Sequence, residues 1–141
     1  MINAYETEDG VVFDMSQLEC DALRSYADGL LTDPEHPFVE LLRSQGLVVG
    51  DAPVPHLAAL LQAFSQATKV LTAWVVAPAG CRRSTFFVGP HSAAVLRCDD
   101  GGLYAGEDDP LTVWSIDAEQ LRETFLELSA LGEPSGEGIV A

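Results

Sequence analysis

The sequence predicts an α+β fold, with an antiparallel sheet of about four to six strands and about four helices packed mainly on one face. Residues 69–116 form a run of short β-branched and aromatic segments separated by turn signals. These turns are too short for crossover helices, so neighbouring strands should run antiparallel. Amphipathic helical patterns precede and follow the run. At 141 residues and 48% hydrophobic, the chain has enough apolar material for one domain.

The first elements are a strand and a helix. We expect residues 1–9 to form a flexible acidic lead-in and residues 10–15 to form a strand. Ser16 and Glu19 then have capping-box spacing, and Gly29 ends the helix. Residues 10–132 should therefore form the single α+β domain, while residues 133–141 have the composition of a disordered tail.

Two further helices precede the sheet. Residues 38–46 predict a short helix, and residues 54–67 predict a longer one that opens with Pro55. The longer helix carries almost no charge, so it is either packed on two sides or partly presented to a partner. The candidate partner-binding residues on it are His56, Ala59, Gln62 and Gln66.

The predicted strands lie at residues 69–77, 84–88, 93–98, 103–104 and 111–116, with glycines at 101–102 for a tight turn. We expect Trp74 and Trp114, on two of these strands, to lie in the core. A last helix should start at Asp117 and end at Gly132.

Charge separates the chain into three blocks. Residues 1–51 carry eleven carboxylates against two arginines, and residues 99–141 carry eleven against one. Residues 52–98 contain no carboxylate and four cations, which are Lys69, Arg82, Arg83 and Arg97. The net charge of −15 disfavours nucleic acid and anionic membranes. An acidic surface with a small basic island suits a protein partner, although the acidity is also explained by solubility alone.

Arg82 and Arg83 lie between two predicted strands, so we expect both guanidinium groups to be exposed at a hairpin end. Exposed arginines are often only solvated. A planar guanidinium is, however, well shaped to bind carboxylates, so both residues are candidates for partner binding.

Catalytic and metal-binding signatures are absent from the sequence. It has no nucleophile elbow, phosphate-binding loop, dinucleotide fingerprint or HExxH motif, and its three histidines are isolated. Cys20, Cys81 and Cys98 lack the spacing of a zinc site or a disulfide framework. We therefore predict no catalytic residue, no cofactor and no metal. The acidic turn of Glu107, Asp108 and Asp109 leaves a divalent cation open as an alternative.

The location of the protein also follows from composition. No apolar run approaches the length of a membrane span, and the acidic first residues do not resemble a secretory signal. We therefore expect a cytoplasmic protein that does not bind membranes.

Four segments carry a family resemblance: residues 12–23 (VFDMSQLECDAL), 56–61 (HLAALL), 93–96 (AAVL) and 114–121 (WSIDAEQL). Their order and hydrophobic spacing over residues 10–131 resemble one half of the EspG family of ESX (type VII) secretion chaperones. The resemblance implies a cytoplasmic, non-enzymatic bacterial chaperone that holds the hydrophobic helical tip of a secreted protein pair. Family members have two similar halves, so this single half is expected to form a homodimer.

The sequence thus predicts a protein-binding chaperone or adaptor. One alternative is an acidic immunity protein or antitoxin whose carboxylates block a basic partner. The other alternative is a small-molecule-binding domain or an enzyme, since a sheet face can form a pocket that no sequence motif reveals.

Overall fold

The computed structural model describes residues 2–8, 10–78, 80–99 and 106–129. Its architecture is α+β, as predicted: one six-stranded antiparallel sheet, a two-stranded ribbon and four α-helices. The strands are β1 (Asn3–Thr7), β2 (Gly10–Ser16), β3 (Val48–Val49), β4 (Ala52–Pro53), β5 (Lys69–Ala77), β6 (Gly80–Val88), β7 (Ser92–Cys98) and β8 (Pro110–Asp117). The helices are α1 (Gln17–Ala27), α2 (Pro37–Ser44), α3 (Pro55–Ser65) and α4 (Leu121–Ser129), and a 3-10 turn (Ala118–Gln120) leads into α4.

The main sheet has the strand order β1-β2-β8-β7-β6-β5, and every neighbouring pair is antiparallel. The predicted meander is confirmed as three consecutive pairings from β5 to β8. The last of these strands, β8, also pairs with β2 near the start of the chain, from Phe13 opposite Val113 to Ser16 opposite Pro110. This long-range pairing places β5 at one edge of the sheet and β1 at the other.

The two faces of the sheet carry cores of different size. Alternate side chains of β7 point to opposite faces, so Ala94, Leu96 and Cys98 belong to one core and Val95 to the other. Helices α1, α2 and α3 cover the larger core on what we call the first face. Helix α4 covers the smaller core on the second face, where Phe86 and Val95 meet Leu128.

The hydrogen bonds at the start of α1 are those that the sequence predicts. The Ser16 hydroxyl accepts a hydrogen bond from the Glu19 amide at 3.1 Å, and the Glu19 carboxylate accepts one from the Ser16 amide at 3.0 Å. The predicted capping box is therefore confirmed. After the helix, Gly29 has a φ of +74°, a conformation that favours glycine.

The prediction of a flexible lead-in at residues 1–9 is wrong for the described part of that segment. Residues Asn3–Thr7 form β1 and pair along their whole length with β2. The adjacent Ile2 is 3% exposed in the larger core, and its backbone is held by the Gln45 side chain. Buried apolar area and backbone pairing together order this segment. The predicted tail at 133–141, the strand at 103–104 and the glycine turn at 101–102 lie outside the described residues.

Candidate functional site at the sheet edge

The most distinctive surface of the molecule is the edge strand β5. All nine of its residues pair with β6, from Lys69 opposite Val88 to Ala77 opposite Gly80. Among the residues that the structure describes, no strand pairs with its outer side. A strand of this length presents an edge of roughly 30 Å with backbone groups available for pairing.

The exposed side chains of β5 are large and apolar. The exposed fractions are 57% for Val70, 44% for Leu71, 45% for Trp74 and 57% for Val76. Natural edge strands are usually protected by charges, proline, a bulge or short length. Here the ladder to β6 is continuous, and the only charge on the strand is Lys69 at its first position. The edge is therefore unusually favourable for pairing with another chain.

The register assigns these side chains to faces. Val70 lies opposite Phe87, which belongs to the larger core, so Val70, Trp74 and Val76 share the first face. The helices of that face pack mainly toward the other strands, with α3 contacting β6, β7 and β8. On the second face α4 contacts β5, where Val75 is only 5% exposed. The exposed apolar stripe therefore lies mainly on the first face.

Trp74 was predicted to lie in the core, and this prediction is wrong. It is 45% exposed because β5 is an edge strand beyond the main cover of α1 and α3. Trp114, on the inner strand β8, is partly buried against the smaller core as expected.

The predicted exposure of Arg82 and Arg83 is also wrong. Only residues 78 and 79 separate β5 from β6, so both arginines lie inside β6 rather than at a hairpin end. The Arg83 residue is 6% exposed, and its guanidinium donates to Asp109 at 3.2 Å. The Arg82 Nε donates to Asp99 at 2.8 Å. Their proposed role in binding a partner stays a prediction, but both guanidinium groups already bind carboxylates of this chain.

Asp99 joins two arginines on the second face. Arg97 donates from Nη2 to the Asp99 Oδ2 at 2.8 Å, and Arg82 donates from Nε to the Asp99 Oδ1 at 2.8 Å. Partial burial raises the pKa of Asp99, but the hydrogen bonds from Arg97 and Arg82 outweigh it and hold the pKa below its ordinary value. The pKa of Asp109 is lowered by the Gly106 amide and then by Arg83. Three of the four cations of residues 52–98, all except Lys69, therefore pair with carboxylates of residues 99–141.

Helix α3 is packed on one broad side. Its buried residues are Leu57, Leu60, Leu61, Ala63 and Phe64. Three of the predicted partner-binding residues, His56, Ala59 and Gln62, lie on a narrow exposed stripe, and Gln66 is the partly buried C-cap. The His56 ring stacks on Phe13 at 5.8 Å between centroids. Part of this helix is thus available to a partner, and its binding role stays a prediction.

A cleft of about 690 Å³ lies where β2 and β8 stop pairing. Their ladder ends at Phe13 opposite Val113, so residues 10–12 and 114–117 continue without pairing to each other. The lining includes Tyr5, Val12, His56, Trp114, Glu123 and Glu127. Burial, and then the neighbouring Asp14 carboxylate, raises the pKa of Tyr5. A smaller cavity of about 430 Å³ shares Arg97 and Thr112 with this cleft.

The acidic turn and the cysteines show no ligand geometry among the described residues. Asp109 is engaged by Arg83 and by the Gly106 amide, and no cluster of three metal-ligating side chains is found in the described ranges. Cys20, Cys81 and Cys98 are free thiols, and burial raises the pKa of Cys20 to about 12.

Comparison of the chain with protein-family models, curated proteins and solved structures finds no match. The resemblance to secretion chaperones therefore stays a prediction. The longest helices in the described part of the chain have eleven residues, and none is long and apolar enough to cross a membrane.

Proposed function

We propose that this protein is a non-enzymatic protein-binding adaptor whose edge strand β5 adds to the backbone of a partner. The observation that supports the proposal is the continuous nine-residue edge with four exposed large apolar side chains. Partner recognition of this kind takes its affinity from main-chain hydrogen bonds and its specificity from alternate side chains.

The exposed side chains supply a driving force for the association. Fully burying a Val or Leu side chain contributes about 1.5–3 kcal/mol. The side chains of β5 are about half exposed, so a partner strand that covers them gains roughly 1 kcal/mol from each. Four such contributions, with the backbone bonds, offset part of the cost of association.

The secretion-associated chaperone is the narrower form of this proposal. It includes a cytoplasmic location and a helical secreted partner, and it is supported by the resemblance described above. A helix has its backbone groups paired internally, so in this form the exposed apolar side chains of β5, rather than its backbone, would contact the partner. An immunity protein is the competing form, in which clustered carboxylates bind a basic partner. Raising the salt concentration distinguishes the two, because screening weakens a carboxylate-driven complex and has little effect on apolar strand addition.

The cleft between β2 and β8 favours a small-molecule-binding domain as a second candidate function. Its volume of about 690 Å³ lies within the usual range of ligand pockets, and its lining combines Trp114 with polar side chains. A compound that raises the melting temperature, and loses this effect when Trp114 is replaced, would support this candidate.

A matched pair of variants tests the adaptor function. The edge variant combines Val70→Lys with Val76→Lys, two residues 57% exposed on β5. The control variant combines Leu30→Lys with Val49→Lys, which are 71% and 69% exposed and lie outside the main sheet. Both variants add two positive charges at solvent-exposed positions.

Each variant and the wild type serve as bait for affinity capture at moderate salt, with circular dichroism as the folding control. A partner protein retained by the wild type and the control variant, but not by the edge variant, supports the proposal. Equal retention by all three places the binding surface elsewhere and contradicts it.

A further inference from the structure

We infer that the partner at β5 is a second copy of this chain, paired antiparallel about a two-fold axis at Ala73. The inference rests on the proposed function, since it names the partner of the same edge. It joins two six-stranded sheets into one continuous sheet, with β5 next to β5 of the second copy.

The charge distribution supports a second copy at this edge. Two chains of net charge −15 repel each other over most of their surfaces. The hairpin from Lys69 to Val88 contains no carboxylate, so two copies that meet there avoid direct repulsion between carboxylates. Two of its cations, Arg82 and Arg83, are neutralised by aspartates of their own chain, which leaves an almost neutral edge.

The register follows from symmetry and from the length of the strand. A two-fold axis perpendicular to the sheet keeps each face continuous across the junction, so paired residues must lie on the same face. Ala73 is the middle residue of β5, and an axis at this position pairs all nine residues. The two identical side chains that meet at the axis are then methyl groups, which fit together without a clash.

This register also pairs the exposed side chains well. On the first face, Val70 lies opposite Val76 of the second copy, and Thr72 lies opposite Trp74. Aromatic and β-branched side chains are favourable cross-strand pairs. On the second face, Leu71 lies opposite Val75 of the second copy. All four exposed apolar side chains of β5 are thus brought into cross-strand contact.

Charge reversal between opposed positions tests the register. In the proposed dimer, residue 70 of each copy lies opposite residue 76 of the other. Combining Val70→Lys with Val76→Lys places like charges opposite each other at two sites of the junction. Combining Val70→Lys with Val76→Glu instead places each introduced lysine opposite an introduced glutamate. The two variants share one substitution and differ only in the sign of the other charge.

Sedimentation and light scattering at tens of micromolar give the mass of each protein, and circular dichroism confirms folding. We expect a dimer for the wild type, roughly tenfold weaker dimerisation for the like-charge variant, and restored dimerisation for the complementary variant. This pattern supports the inference. A like-charge variant that dimerises as well as the wild type overturns it, and so does a complementary variant as weak as the like-charge one.

A monomeric wild type also overturns this inference. The proposed function is then judged separately, by the affinity capture described above. If a different protein is then captured in a manner that depends on β5, the adaptor function stands and only the identity of the partner changes. If capture is unaffected by the edge variant, the adaptor function itself fails.

Discussion

Replacing Phe86 with alanine tests whether α4 and the second face belong to the same cooperative unit as the rest of the domain. Phe86 is 0% exposed, and its ring lies 5.6 Å from that of Phe125 in α4. Truncating a buried phenylalanine to alanine costs about 3–5 kcal/mol, depending on how far the surroundings relax. The second core is small and α4 is its only helical cover among the described residues, so partial relaxation favours the lower value, about 3 kcal/mol.

The free energy of unfolding is measured in urea by far-UV circular dichroism and by tryptophan fluorescence. Trp114 packs against the same small core and Trp74 lies on β5 of the same sheet, so both signals should report one transition at lower urea than in the wild type. Leu126→Ala, on the exposed side of α4, is the control and should change stability very little. A loss below about 1 kcal/mol for Phe86→Ala, or a fluorescence transition well before the dichroism transition, would refute the reasoning.

Three further predictions concern other parts of the molecule. Gly89→Ala should lower stability by about 1–3 kcal/mol in urea, because the added Cβ would lie 2.8 Å from the backbone oxygen of Gln66. The pKa of Asp99 is lowered on folding, so its stabilisation is present above the ordinary value of 3.8 and is lost as pH falls through the lowered value. Asp99→Asn should therefore reduce the loss of unfolding free energy as the pH falls below 3.8, and an unchanged dependence of that free energy on pH would contradict the prediction. Native-state thiol labelling with peptide mass mapping should modify the partly exposed Cys81 and spare the buried Cys20, and equal labelling would be the contrary result.

The parts of the fold that depend on local sequence were predictable. The Ser16 and Glu19 capping box spans four residues, and its two hydrogen bonds are observed. The antiparallel meander follows from connections too short to hold a crossover helix, and it is observed from β5 to β8. Both features are set by residues close together in the chain, where spacing and turn chemistry carry the information.

The position of the candidate site depends on contacts that are distant in sequence. The pairing of β2 with β8 joins residues about a hundred positions apart, and it leaves β5 at the edge. The run from Val70 to Val76 is apolar on both faces, which is typical of a buried strand. Trp74 was therefore assigned to the core, and the exposure of the stripe was missed.

The environment of Arg82 and Arg83 in β6 likewise depends on contacts that are distant in sequence. Their neighbouring residues gave no sign of a partner, and their exposure was predicted from an assumed longer turn. The carboxylate that holds Arg83 belongs to Asp109, 26 residues further along the chain. Only the pairing of β6, β7 and β8 brings these groups together.

Amide hydrogen exchange along β5 tests the central claim most directly. Exchange is measured on the wild type at low and at high protein concentration, and again after addition of any other protein that β5-dependent capture identifies. The account predicts that residues 69–77 become protected in the associated state, while the opposite edge strand, β1, exchanges as before. Equal exchange of residues 69–77 in the free and associated states would contradict the claim that β5 is the binding edge.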